Sequence, residues 1–417
     1  IPVLTMRYVV LAFVGLALVA TILSPYAHPS RQWLIVIAGY ATLFYLLVSF
    51  LDRWEHIRGL TVVIVLMGVG EAGWAIMQGL AGNVLRPSGT FFNPNFLAGY
   101  LTVTWTILFS VAIHGYRQVP ACSRPWMSPV LWWIGLGTTL GGLFLAVLWT
   151  QSRGGMIVFL VGTVFVLTAR YGWKLAGSCA AVVVLLGLFV PTPIRDRVLA
   201  EHQQNPVSYA RWQMWQGAIA QMVDHPLGIG LGLYQYTYPL YAFPVEGEIS
   251  RFGKVAQTPH NDYLQMGVEM GVGAILVFVA GVVLVIRELR QVLHSRLRRR
   301  QRSLIVGVGG GLIALLAHAA LDSSLRESAN AILLMLCGGL IVSAARLTRR
   351  GIGAVYVIPI RARMAWGIGA ACLLLVAGVE VTRLGVAWMK FDAASRKAMA
   401  GESDAAIEGL KAAIALD

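Results

Sequence analysis

Apolar runs long enough to cross a bilayer recur along almost the whole chain, and this constrains the fold more than any motif does. We read them at about 6–23, 33–50, 60–80, 96–113, 130–149, 154–169, 174–190, 264–286, 303–320, 329–345 and 365–382. Many approach the ~20 residues that an α-helix needs to span the hydrocarbon core. Only 12% of the residues are charged, against roughly 25% in a soluble domain. The mean hydropathy is +0.70. These features predict an all-α, polytopic membrane protein with about eleven transmembrane helices. The expected organisation is 1–190 for helices one to seven, 191–263 for a large helical loop, 264–388 for helices eight to eleven, and 389–417 for a helical tail.

Orientation follows from the distribution of Lys and Arg, which collect on the cytoplasmic side of short loops. With the N-terminus inside, the inner segments hold nineteen basic residues and the short outer loops four, Arg31, Arg86, Arg153 and Arg326. The C-terminus and the long loop then lie outside. This placement also accounts for the net charge of +14, which sits against anionic lipid, so no nucleic acid is implied. The first apolar run is long enough to span, unlike a cleavable signal peptide. A chain opening on Ile1 is expected to lack its native start. The four cysteines lie in spans or an inner loop and suggest no disulfide framework. Neither zinc-ligand spacing nor an Asp-x-Asp pair occurs, so no metal and no cofactor are expected.

In this topology the polar motifs converge on the outer face. FFNPNFLAGY (91–100) enters span four, TQSRGGM (150–156) turns tightly between spans five and six, HNDYLQ (260–265) ends the long loop, and HAALDSSLRES (318–328) forms the last short outer loop. They gather Asn93, Asn95, Arg153, His260, Asn261, Asp262, His318, Asp322 and Arg326 on one surface. Ionisable groups at membrane depth usually face a cavity and serve function. Each motif also has a plain structural reading. Asn93-Pro94-Asn95 suits a helix start, Arg153 suits a snorkelling arginine, and His260 with Asn261 and Asp262 suits a capped turn.

Within the long loop, Trp212, Trp215, Ile219 and Met222 recur at helical spacing over about 208–224. They predict an interfacial helix with Arg211 at phosphate level. The glycine run GIGLG (228–232) lacks a surrounding βαβ unit, which excludes a dinucleotide site; a helix end with a flexible turn is expected there. Residues 243–257 suggest a mobile flap.

NPNFLAGY, SRGG, R-W-x-M-W, P-L-G-I-G-L-G, HNDYLQ with E-x-G-x-G, and HAALD occur in this order over about 60–345. The series resembles the O-antigen ligase and polymerase superfamily, which includes pilin O-oligosaccharyltransferases. The resemblance implies a GT-C-like, metal-independent membrane glycosyltransferase that takes a glycan from undecaprenyl diphosphate at the periplasmic face of the bacterial inner membrane. The acceptor is lipid A-core, a growing glycan or a protein. Essential Arg and His positions of the family match Arg153, Arg211 and His260.

The residue types suit that chemistry. A diphosphate leaving group gathers negative charge, which fixed arginines stabilise. An acceptor hydroxyl must lose a proton, a task for His near neutral pH. His260 is therefore the expected base, with Arg153 and Arg211 on the diphosphate. Asn261 and Asp262 are expected to orient His260 or the acceptor. Asn93 and Asn95 join the substrate-binding set, as do Arg86, Arg251 and Lys254 as further anion binders and His318, Asp322 and Arg326 as cavity-lining or structural groups. The tail 389–417 resembles part of a tetratricopeptide repeat, expected either to continue natively or to dock on the outer loop; it reads equally as an amphipathic tail. Such a domain suits a protein acceptor. A transporter of lipid-linked glycan is the competing class. It ordinarily shows midplane charges and paired repeats, whereas these spans carry Glu71 and Glu269 as their main charges.

Overall fold

The computed structural model describes residues 2–82, 84–115, 129–189, 207–241, 256–349, 360–399 and 401–416. The chain divides into two compact units, Ile1–Gly353 and Ala354–Asp417. The first contains α1 (Pro2–Ile22), α2 (Ala27–Phe50), α3 (Trp54–Leu80), α4 (Pro94–Gly115), α5 (Pro129–Trp149), α6 (Arg153–Tyr171), α7 (Trp173–Phe189), α8 (Val207–Asp224), α9 (Asp262–Met270), α10 (Val272–His294), α11 (Arg299–Leu321) and α12 (Ser328–Arg349). The second holds α13 (Ile360–Met399) and α14 (Ser403–Ile414), which pack on each other. Gly401, with φ of 83°, turns the chain between them. The expected last span and the first tail helix are thus one helix of 40 residues.

Among the described residues, eight helices are long and apolar enough to cross a membrane. The expected count of eleven is not confirmed among them. The apolar part of α1, Met6–Ile22, is shorter, and α7 has 17 residues. Span eight also begins later than expected, at Val272 instead of 264. The physical reason is Gly271, whose φ of 84° interrupts the helix. HNDYLQ therefore opens a separate helix of nine residues, α9.

α11 is the central post, packed against α4, α6 and α12. Close approach depends on its glycines: a Cβ on Gly307 would meet the backbone of Ile107 at 2.6 Å, and one on Gly311 would meet Val103 at 2.7 Å. Leu315, Leu340 and Ile341 are fully buried in the shared core. Leu66, Leu276 and Ile22 remain exposed, as side chains facing lipid should. α8 buries Ala218 with Met214 and Met222 packed beside it, against Ile229, Leu233, Tyr234 and Val268. The expected stripe accordingly splits, leaving Trp212 and Ile219 exposed.

The glycine run is not a loose turn. Ile229 N–H donates to the Val268 carbonyl at 2.9 Å, and Gly230 N–H to that of Glu269 at 3.1 Å. Gly228, Gly230 and Gly232 all have positive φ, a conformation that side chains resist. The run is a fitted brace against the end of α9.

Candidate active site

α3 sets the first edge of the site. Glu71 accepts from the N–H and hydroxyl of Thr90, and Gln78 accepts from the N–H groups of Ser88 and Gly89. This loop delivers Asn93 to the start of α4. Asn93 has the plain role, since its side-chain oxygen accepts Asn95 N–H at 2.8 Å. Asn95 points elsewhere. Its Nδ2 donates to Asp322 Oδ2 at 2.8 Å, while its Oδ1 accepts from Arg86 Nη2 at 3.0 Å. Arg86 Nε also donates to the Thr150 carbonyl at 2.9 Å, tying the start of α4 to the turn before α6.

The SRGG motif builds that turn. Ser152 caps α6 by accepting Gly155 N–H at 3.0 Å, and Arg153 is the first helical residue. Gly155 is where α6 meets α4, because a Cβ there would collide with Ala98. Gly154 lies against the C-terminal end of α11, with its Cβ position 3.8 Å from Leu321 and 3.9 Å from the His318 ring. His318 is fully buried, seated against Gly99 of α4, and neither of its ring nitrogens has a hydrogen-bond partner.

Asp322 is the hub. It ends α11 in an extended conformation, donating its N–H to the His318 carbonyl at 2.8 Å. Its Oδ1 accepts His260 Nδ1 at 2.7 Å and Ser323 N–H at 2.8 Å. Its Oδ2 accepts from Asn95 and, at 3.5 Å, from Arg211 Nη2. Arg211 Nη1 donates to the Leu321 carbonyl at 3.0 Å. Burial would raise the Asp322 carboxyl, but the His260 hydrogen bond and charge, the Arg211 guanidinium and the Ser323 N–H outweigh it and hold the group down at about 2. It is therefore an ionised acceptor near neutral pH.

In the neutral form of the His260 ring, the hydrogen bond to Asp322 places the proton on Nδ1 and leaves Nε2 with its lone pair. The His260 and Arg211 side chains keep 36% and 44% of their surface exposed, whereas Asp322 keeps 3%. The imidazole and the guanidinium are therefore open to the surface, whereas the carboxylate between them is not. His260 stands at φ 51°, an uncommon backbone region for a non-glycine residue. Trp215 of α8 helps hold it there, donating Nε1–H to the Pro259 carbonyl at 2.9 Å. On the other side Asn261 caps α9, accepting the N–H groups of Tyr263 and Leu264.

Asp262 and Arg326 do not join this hub. Asp262 is buried and accepts Leu325 N–H at 2.8 Å. Burial pushes its carboxyl well above the usual range, the carboxylates of Asp322 and Glu269 add to this, and Leu325 N–H and Arg326 only partly oppose it. Arg326 pairs with Glu269 and lies 4.1 Å over the Trp33 ring. Arg251 and Lys254 lie outside the described residues, as does most of the expected flap. Sequence reasoning missed Trp215, Gln78 and Thr150 as positioning groups, and it ranked Asp322 below its neighbours. The signal for Asp322 was present: it is an acidic residue directly after an apolar span, on the same surface as His260 and the arginines.

Residues 138–279 match a family model described as O-antigen ligase. No curated protein and no solved structure matches the chain. The matched stretch includes Arg153, Arg211 and His260, whereas Arg86, Asn95 and Asp322 lie outside it. The matched stretch is similar to an O-antigen ligase, and the long apolar helices suit a multi-pass membrane protein. The match supports placing the chain in the O-antigen ligase superfamily.

Proposed function

We propose that the protein transfers a glycan from undecaprenyl diphosphate to an acceptor hydroxyl at the periplasmic face of the bacterial inner membrane. The observation that carries this reading is one buried carboxylate, Asp322, holding His260 on one oxygen and Arg211 on the other. His260 Nε2 takes the proton of the acceptor hydroxyl. The hydroxyl oxygen bonds to the anomeric carbon as the bond from that carbon to the diphosphate breaks. The electron pair leaves on the diphosphate, where Arg211 and Arg153 stabilise it. A single displacement inverts the anomeric centre. Asp322 orients the imidazole and stabilises the imidazolium that forms.

Reconstitution in lipid nanodiscs with undecaprenyl-diphosphate-linked glycan tests the reading. Transfer by the wild type and its loss in His260→Ala are expected. Near-normal turnover of His260→Ala would remove the base assignment. A lipid-linked ladder formed without added acceptor would mark a polymerase; product on added lipid or protein would mark a ligase and name its acceptor class.

A further inference from the structure

Asn95 stands between two groups of opposite kind. Arg86 only donates hydrogen bonds, and the ionised Asp322 carboxylate only accepts them. The Asn95 amide serves both at once: Oδ1 accepts from Arg86 Nη2 at 3.0 Å, and Nδ2 donates to Asp322 Oδ2 at 2.8 Å. Arg86 thereby settles which way the amide faces, since turning it over would set Nδ2 against a guanidinium and Oδ1 against a carboxylate. Both flanks are themselves anchored. Arg86 Nε donates to the Thr150 carbonyl at 2.9 Å, and Asn93 holds the Asn95 backbone N–H at 2.8 Å.

The consequence falls on His260. A carboxylate is planar, so fixing Oδ2 also fixes the direction of Oδ1, which accepts His260 Nδ1 at 2.7 Å. Arg211 Nη2 reaches Oδ2 only at 3.5 Å, where a hydrogen bond is weak. The short bond from Asn95 is therefore the firmer hold on that oxygen. A nearby asparagine gives the contrast. Asn330 Nδ2 also reaches the start of α4, at 3.1 Å, but it donates to the Phe96 backbone carbonyl instead of the hub.

We propose that Asn95, its amide set by Arg86, is a positioning residue that fixes the rotation of the Asp322 carboxylate and, through it, the aim of the His260 imidazole. The inference rests on the transferase reading above and places Asn95 behind the base instead of against the substrate. The other charged and titratable groups around these contacts are Arg211 from α8, Asp262 from α9, Arg153 at the start of α6 and His318 one turn before Asp322 in α11. They are the same in every variant below.

The test is modification of His260 by diethyl pyrocarbonate, which attacks the unprotonated imidazole, on the full chain in nanodiscs without substrate. Peptide mass spectrometry reads His260 apart from the other histidines. Asn95→Ala leaves the carboxylate short of a donor, so it favours the imidazolium more strongly, and the pH profile of His260 labelling is expected to move to higher pH. Asn95→Asp adds a second carboxylate and should move it further. Arg86→Met keeps Asn95 but lets its amide turn over, and should move the profile the same way by less. Turnover of Asn95→Ala at neutral pH is expected to fall about tenfold, the low end of what a lost outer partner costs, with KM for the donor unchanged. Asn330→Ala is the control, with a lower melting temperature and the wild-type labelling profile. A wild-type profile in Asn95→Ala and Arg86→Met would overturn the proposal and leave Asn95 a brace between α4 and α11. If Asn95→Ala does not fold, Arg86→Met decides. A raised donor KM at unchanged kcat in Asn95→Ala would also overturn it and return Asn95 to the substrate. Labelling is read without turnover, so it tests the positioning even if His260→Ala keeps its activity and the base assignment falls.

Discussion

Two buried carboxylates meet arginine at the same end of the helix bundle, and their surroundings separate a working group from a brace. Glu269 is saturated from within. It accepts from Gly232 N–H at 2.9 Å and Gln265 Nε2 at 2.9 Å, and it pairs with Arg326, which is itself stacked on Trp33. Every partner there is consumed in joining the glycine run, α9 and the segment between α11 and α12. Asp322 accepts four donors. Two of those donors, His260 and Arg211, have partly exposed side chains. On the proposed reading, a buried acidic group is structural when its donors are buried with it, and serves the site when it presents donors to the surface.

Substitutions in the two clusters should diverge. The largest effect is expected for His260→Ala, with turnover falling roughly 10²–10⁴-fold, the range for losing a general base, and with melting temperature little changed. Asp322→Asn should follow with a fall of about 10–100-fold, since an outer-shell partner no longer fixes the imidazole. Donor-titrated turnover measures both, and equal losses of stability would erase the distinction drawn here. Glu269→Gln should do the reverse. The substitution leaves the half-buried Arg326 charge unpaired, which destabilises the fold, so thermal unfolding in detergent should drop while turnover per folded molecule persists.

Arginine geometry gives a finer comparison. Arg211→Lys should weaken turnover roughly tenfold through loss of the planar fork, whereas Arg326→Lys should alter thermal stability more than rate. Steady-state kinetics beside a melting curve separates the two.

The smallest expected effects concern pH. Asp322 is depressed to about 2. Its ionised form contributes stability fully above its unfolded value of about 3.9 and loses it as pH falls toward 2. Asp262 is raised, so the sign reverses: its ionisation opposes folding as pH rises above that unfolded value. Asp262→Asn should keep the Leu325 contact and flatten the decline of stability at higher pH. A steeper decline in the variant would contradict the upward shift of the Asp262 carboxyl.

Much of the helical frame was legible because apolar length and bilayer thickness leave few alternatives. α8 was expected at 208–224 and is observed at Val207–Asp224. The break at Gly271 was not, since an apolar run continues through it and only the positive φ reveals the interruption. In the NPN motif, sequence could not assign Asn93 to the cap and Asn95 to the hub, because both asparagines suit either task. Residue identity pointed to His260, Arg211 and Arg153, whose chemistry suits proton removal and diphosphate binding wherever they lie together.

What sequence alone determined was the apolar helical character and the inventory of reactive groups, since both follow from local composition. Tertiary structure decided which groups meet. Asn95 and Asp322 are 227 residues apart and share a 2.8 Å hydrogen bond, while Asp262 and Arg326 turn away from the hub that their neighbours form. That choice depends on the packing of α4 and α6 around the glycines of α11, a long-range condition that no local pattern encodes.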